Sequence, residues 1–235
     1  MPAADVNTRI KSELLRLSDT KFCKFNQKLL PGTKNVMGVR LPALREIAKE
    51  LAKGDWKTYL SHASDDTFEE IMLQGLTIGY VKAPAEEMFS ALHAFIPKID
   101  NWSVCDSTAA GLKPAKKYPQ EFWNFLIPYL SGTEFEIRFA LVMFLDHFLV
   151  PEYIDAVLAK SDFNPDGYYA KMALAWLVSV CYVKFPEKTE RFLKNCTLDD
   201  WTVDKSVQKI KESYRVSDED KIRLQKMKRY LKRSS

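Results

Sequence analysis

The chain has 235 residues, of which 46% are hydrophobic and 28% charged, and its formal net charge at pH 7 is +4. This length can bury a large core, and the composition is ordinary for a globular protein. Only 8 glycines are present, which argues against a β architecture built on tight turns and against glycine-rich phosphate-binding loops.

Helical periodicity recurs from the first segments to the last, and no convincing alternating strand interrupts it. Proline and glycine mark several starts and ends, and Thr67 with Glu70 forms a capping-box signature. Asp100 is the candidate N-cap of the helix that follows it. Helices are predicted over 6–17, 20–30, 42–54, from 67, from 84, from 100, and over 119–130, 134–149, 151–159, 167–183, 186–195 and 199–216, with a last one from 217.

About a dozen helices joined by short loops make antiparallel neighbours, which stack into an α-solenoid or close into a bundle. The rhythm of helix pairs favours the solenoid. We therefore expect an all-α fold: a single α-solenoid domain over 1–235, built of antiparallel helix pairs of the HEAT/ARM-like kind, with a concave basic face.

The charge is concentrated near one end of the sequence. Residues 184–235 contain 15 Lys/Arg and 9 Asp/Glu, a net charge of +6. A basic segment on a near-neutral body favours an anionic partner such as nucleic acid, and the alternative is a solvated helix face. The cations recur at Lys205, Lys209, Lys211 and Arg215, and again at Lys221, Arg223, Lys226, Lys228, Arg229, Lys232 and Arg233.

The four cysteines are widely separated, and none forms a C-x-x-C pair or a metal-ligand spacing with the three histidines. We expect neither a structural metal nor a disulfide framework. There is no apolar N-terminal signal and no apolar run of about 18 residues. The sequence therefore predicts a cytoplasmic protein with reduced thiols and no membrane association.

Trp102 and Asp106 stand four residues apart at the start of a predicted helix, so both side chains project from one face. An indole beside a carboxylate can receive a cation, or a positive charge that develops during a reaction. The alternative is structural, with Trp102 in the core and Asp106 facing the helix dipole.

Two later segments carry further candidates. Tyr168, Tyr169 and Trp176 lie on a helix that either is buried or presents aromatic rings to a ligand, and Lys171 lies on another of its faces. Arg138 stands alone in an apolar run. It either pairs with a carboxylate or faces a groove and binds a phosphate.

These residues make the chain resemble the bacterial DNA alkylation repair family, the AlkD-like HEAT-repeat DNA glycosylases. The matching segments are GVRLPALR at 38–45, Asn101-Trp102 with Asp106, RFA at 138–140, YYAKMALAW at 168–176 and QKIKESYR at 208–215. They follow one another over most of the chain.

The resemblance implies an enzyme that holds duplex DNA on a concave face and releases purines alkylated at N3 or N7. We expect it to be monofunctional, because a lyase generally needs an activated amine and nothing in the sequence indicates that Lys171 is one. By match, Trp102, Asp106 and Trp176 would lie along the deoxyribose of the lesion as the catalytic residues. Arg138 would take the position that contacts phosphate. The remaining DNA-contact candidates are Arg40, Tyr168, Lys171, Lys205 and Lys209. The expected partner is alkylated duplex DNA, bound by a monomer without metal or cofactor.

Two other functions stay open. One is a non-catalytic HEAT-like module that binds DNA structures or a protein partner, and Ile137 favours it because active members carry a basic residue before the arginine. The other is a protein-interaction solenoid whose basic end only adds solubility.

Overall fold

The computed structural model describes residues 3–224, which fold into helices without any strand. The all-α prediction is confirmed, whereas the predicted cations from Lys226 to Arg233 lie outside the described residues. Residues 218–224 are also helical. The preceding helices are α1 (Ala3–Leu17), α2 (Thr20–Leu29), α3 (Leu41–Lys53), α4 (Trp56–His62), α5 (Phe68–Tyr80), α6 (Ala85–Phe95), α7 (Trp102–Gly111), α8 (Pro119–Leu126), α9 (Glu134–His147), α10 (Ile154–Lys160), α11 (Tyr168–Lys184), α12 (Pro186–Asn195) and α13 (Asp200–Glu212).

Capping side chains determine where several of these helices begin. The predicted capping box is confirmed, because Thr67 and Glu70 each bond the other's main-chain N–H. The predicted N-cap Asp100 is wrong. Asn101 caps α7 by accepting from the Val104 N–H at 3.0 Å, and Asp100 accepts from the Asn101 amide at 2.7 Å. Asp100 therefore orients the cap and does not form it.

Some boundaries differ from the predicted ones for identifiable reasons. The short helix α4 was not predicted. Helix α8 ends at Leu126, and Ile127–Ser131 continues as a 3-10 helix. Pro128 has no N–H to donate to the turn before it, so the α-helix cannot continue there. Helix α13 ends at Glu212, four residues before the predicted end.

Two compact units divide the described chain, the first ending at Phe125 and the second beginning at Leu126. In the first unit α5 packs between α3 and α7, and in the second α11 packs between α9 and α13. The central helices are buried along most of their length, as a helix with neighbours on both sides must be. Packing of every second helix is the arrangement of an α-solenoid. The single domain and the concave basic face stay predictions.

None of the helices in residues 3–224 combines the length and the apolar composition that crossing a membrane requires.

Candidate nucleic-acid interface

Trp102 and Asp106 share the accessible face of α7. Both are half-buried, whereas Val104, Cys105 and Thr108 on the other side of the helix are buried. The four-residue spacing places the indole and the carboxylate one turn apart. Part of the surface of Asp106 is therefore exposed to solvent.

Trp102 is held in place by the C-terminal end of α2. Its Nε1 donates a hydrogen bond to the main-chain oxygen of Leu29 at 3.0 Å. The last carbonyls of a helix have no partner within that helix, so the indole satisfies one of them. This contact fixes the first turn of α7 and the orientation of its indole.

Arg40, a predicted DNA contact, lies at the N-terminus of α3 with its side chain 63% exposed. Its Nη2 lies 3.2 Å from Asp19 Oδ2, and its guanidinium carbon lies 4.6 Å from the centre of the Phe22 ring. Hydrogen bonds from the Phe22 N–H and from Arg40 hold the pKa of Asp19 below its usual value. The guanidinium thus rests on α2, and most of its surface faces solvent.

A buried carboxylate shapes the loop that carries Arg40. Glu69, on α5, has no exposed surface and accepts from the N–H groups of Met37, Gly38 and Val39 at 2.9, 2.7 and 3.1 Å. Charge-assisted hydrogen bonds to main-chain N–H groups offset the burial of an ionised carboxylate. The start of α3 is therefore positioned by a residue on the next helix of the stack.

Arg138 is 7% exposed, and its Nη1 donates to the main-chain oxygen of Tyr169 at 2.9 Å. This contact is with a main-chain carbonyl, and the carboxylate and phosphate partners that the sequence offers stay predictions. A carbonyl in the first turn of α11 has its own partner within the helix and can accept a second hydrogen bond. Arg138 therefore ties α9 to the start of α11.

Lys209, on α13, interacts electrostatically with Lys205 of the same helix and with Arg138 of α9. Burial lowers the pKa of Lys209, and the positive charges of Lys205 and Arg138 lower it further. The negative charge of Glu212 acts to raise this pKa. Like charges around Lys209 favour an anion nearby. We call Arg138, Lys205 and Lys209 the cationic cluster.

Trp176 shares a shallow cavity with part of this cluster. The cavity has a volume of about 280 Å³ and is lined by Trp176, Lys209 and Arg215, among others. Trp176 is half-buried, while the residues on either side of it in the helix are buried. An indole, two cations and the carboxylate of Glu212 therefore meet on one accessible surface of the second unit.

Lys171 is engaged in an ion pair. Its Nζ lies 2.7 Å from Asp199 Oδ2, and both side chains are about one-third exposed. Burial acts to raise the pKa of Asp199, but hydrogen bonds from Lys171 and Thr202 hold it below the usual value. The pair joins α11 to the N-cap of α13, so the charge of Lys171 is partly neutralised by Asp199.

Tyr168 is 60% exposed and lies beside Trp201, with ring centroids 6.2 Å apart. Sequence reasoning selected Tyr168 and missed Trp201. The spacing of charged residues could have identified Trp201, because Trp201 stands four residues before Lys205, as Trp102 stands four residues before Asp106. The Lys205 Nζ lies 5.8 Å from the centre of the Trp201 ring.

The predicted site residues fall into two groups. The first unit holds Arg40, Trp102 and Asp106, of which Trp102 and Asp106 share a face. The second unit holds the other six, with Trp176 and the cationic cluster meeting around Lys209. Across residues 3–224, no three His, Cys, Asp or Glu side chains gather in a group that could hold a metal ion.

Fold and surface together define an all-α helical-repeat protein whose accessible helix faces carry indoles, a carboxylate and clustered cations. The DNA alkylation repair enzyme family model matches residues 10–195, and the chain belongs to this family. Membership supports a role in DNA repair. No curated protein and no solved structure matches the chain significantly. The family match ends before α13, so Trp201, Lys205 and Lys209 lie outside it.

Proposed function

We propose that this protein is a monofunctional DNA glycosylase that acts as a monomer, without metal or cofactor. Its substrates are cationic purines alkylated at N3 or N7 in duplex DNA. The observation that carries the proposal is the pairing of Trp102 and Asp106 on the accessible face of α7, in a chain of the DNA alkylation repair enzyme family.

The chemistry suits a carboxylate and an indole. An alkylated purine already carries a positive charge, so its departure as a neutral base leaves a sugar with oxocarbenium character. The carboxylate of Asp106 stabilises that charge and orients the attacking water. At roughly 4 Å in a partly desolvated groove the interaction is about 4 kcal/mol, enough for a rate gain of several hundredfold. The indole of Trp102 adds a cation–π contact to the same charge.

In the second unit the cationic cluster supplies phosphate contacts, and the indole of Trp176 contacts a sugar. The cavity that joins Trp176 to Lys209 supports this assignment, because adjacent sugar and phosphate groups need adjacent partners. Arg138 combines a structural contact to Tyr169 with a charge that the DNA backbone can use.

The ion pair of Lys171 supports a monofunctional reaction. A glycosylase with lyase activity attacks the sugar with an unprotonated amine. The Lys171 Nζ donates a hydrogen bond to Asp199 Oδ2 at 2.7 Å, so this amine is engaged in an ion pair. Water is therefore the proposed nucleophile.

The test is release of 7-methylguanine and 3-methyladenine from methylated duplex DNA under single-turnover conditions. Asp106→Asn is expected to bind duplex DNA within about twofold of the wild type and to release base at least about 100-fold more slowly. Glu121→Gln, which removes an exposed carboxylate from α8 in the same unit, is the matched control and should keep the wild-type rate.

Two results would overturn the proposal. One is wild-type protein that binds duplex DNA but frees neither base at any concentration, which would leave the non-catalytic DNA-binding module. The other is Asp106→Asn with wild-type activity. Failure to bind duplex DNA at low salt would instead support a protein-interaction role.

A further inference from the structure

We propose that the second unit contains a separate site for unpaired bases of single-stranded DNA, formed by a row of four aromatic rings. Consecutive ring centroids lie 5.3 Å apart from Phe135 to Tyr169, 5.4 Å from Tyr169 to Tyr168 and 6.2 Å from Tyr168 to Trp201. We call Phe135, Tyr169, Tyr168 and Trp201 the aromatic row.

The helix stack explains why these rings meet. Phe135 is the second residue of α9, Tyr168 and Tyr169 are the first two of α11, and Trp201 is the second of α13. Because α11 packs between α9 and α13, their first turns lie side by side. The row therefore crosses three helices at one edge of the unit.

The outer end of the row is exposed to an unusual degree for aromatic side chains. Tyr168 is 60% exposed and Trp201 is 39% exposed, although both rings are large enough to stabilise a core. Tyr169 and Phe135 are only half-buried. A row of ring surface in contact with water is suited to stacking with a flat ligand.

Charge selects the chemical class of that ligand. Lys205 Nζ lies 5.8 Å from the centre of the Trp201 ring, and Lys205 belongs to the cationic cluster. A groove of about 580 Å³ continues from Trp201 past Lys205 and Lys211, with Asp204 and Glu212 on its walls. Exposed aromatic rings with Lys205 and Lys211 beside them can contact the bases and phosphates of a nucleic acid strand.

The geometry favours a single strand over a duplex. A base in a duplex has both faces covered by its neighbours, so it cannot stack on Tyr168 or Trp201 unless it leaves the helix. An unpaired base offers a free face, and any of the four bases can use it. An apolar protein partner would not need the lysines.

This site can be tested apart from the proposed base release, although it shares Lys205 with the proposed duplex contacts. It contains neither Trp102 nor Asp106, and Trp201 and Lys205 lie outside the residues that match the family model. If base release fails its test, the aromatic row remains to be tested by binding alone.

The experiment compares two fluorescein-labelled probes of equal charge by anisotropy: twelve thymidine nucleotides, and a chain of twelve abasic nucleotides. The wild type is expected to bind the thymidine strand at least about tenfold more tightly, since stacking is lost without bases. Trp201→Ala and Tyr168→Ala should reduce that preference to within about twofold. Their affinity for the abasic chain should stay unchanged, which also shows that the variants are folded.

Tyr214→Ala is the matched control, because Tyr214 is fully exposed beyond the end of α13 and outside the row. It should keep the full preference. Lys205→Gln should weaken binding of both probes and lower the slope of log K against log salt by about 0.7.

Equal wild-type affinity for the two probes would overturn the proposal. So would a thymidine preference that survives Trp201→Ala, or one that Tyr214→Ala removes equally. A blunt duplex with no unpaired base is the final comparison. If Trp201→Ala weakens binding of this duplex as much as it weakens binding of the thymidine strand, the assignment to single strands is overturned.

Discussion

The indole N–H of Trp102 lies 3.0 Å from the main-chain oxygen of Leu29, a residue 73 positions earlier in the chain. This hydrogen bond joins the first turn of α7 to the last residue of α2. Because Asp106 is one turn further along α7, the same contact sets the position of the proposed catalytic carboxylate relative to the rest of the first unit.

Trp102→Phe keeps an aromatic ring and removes the N–H, so it tests this contact. The Leu29 carbonyl is near the surface and regains water, and we expect a loss of about 1 kcal/mol in the free energy of unfolding. The rate of base release should fall by more than the lower stability of the variant explains, because the ring is no longer held in one orientation. Urea unfolding and single-turnover release measure the two effects.

Trp56→Phe, on α4, is the control for the loss of an indole and should leave base release unchanged. Full activity in Trp102→Phe would show that the hydrogen bond serves stability alone.

Gly38 and Gly32 provide a matched pair for testing the loop before α3. Both have positive φ, +86° and +87°. A Cβ on Gly38 would lie 2.7 Å from both the N and Cβ atoms of Cys23, whereas a Cβ on Gly32 would have no atom within 4 Å. Gly32→Ala should cost only the strain of a left-handed backbone, about 1 kcal/mol. Gly38→Ala should cost at least about 2 kcal/mol more, since main-chain atoms block the methyl group.

Differential scanning calorimetry on both variants measures this difference. Equal midpoints for Gly38→Ala and Gly32→Ala would contradict the close approach of the loop to α2.

Glu69→Gln tests the buried anchor of the same loop. A carboxylate oxygen accepts the Gly38 and Val39 N–H groups and the other accepts that of Met37. An amide removes the charge and turns a donor toward one of these N–H groups, so we expect a loss of about 2–3 kcal/mol in the free energy of unfolding. Glu46→Gln, an exposed carboxylate paired with Lys49, should change it by less than about 0.5 kcal/mol. Similar losses in the two variants by guanidinium unfolding would refute the anchoring role.

Local sequence predicts local structure in this chain well. The Thr67–Glu70 spacing predicts a capping box because both partners lie within one turn, and that capping box is present. Helix α4 is not predicted by its sequence, because its seven residues are too few to show a repeating pattern of apolar positions. The sequence does not identify Asn101 as the N-cap of α7, because Asp100, one residue earlier, is an equally good N-cap by residue type.

The contacts that build the candidate site are distant in sequence, which is why residue patterns do not reveal them. Nothing near Arg138 indicates that it donates to the Tyr169 carbonyl, and nothing near Glu69 indicates three main-chain N–H groups thirty residues away. Such partners are set by which helices stack. Spacing did predict that Trp102 and Asp106 share a face, because that relationship lies within one helix.

Lys209 is expected to affect both the stability of the second unit and the proposed binding of DNA. Burial lowers its pKa, and the charges of Lys205 and Arg138 add to the effect. The folded state therefore disfavours the proton on Lys209 more than the unfolded state does. Between the lowered pKa and the unfolded value of about 10.4, the unfolded chain binds more protons, so this group's contribution to stability increases as pH rises.

Lys209→Met removes the disfavoured charge and keeps the aliphatic stem. We expect its midpoint of thermal unfolding to exceed the wild-type value at pH 7, and the difference to shrink as pH approaches 10. Duplex DNA should bind more weakly and with a salt slope lowered by about 0.9, because one phosphate partner is lost. Lys211→Met, at an exposed neighbour on α13, should give no gain in the unfolding midpoint. A lower midpoint for Lys209→Met at pH 7 would show that the charge stabilises the fold, contrary to the repulsion within the cationic cluster.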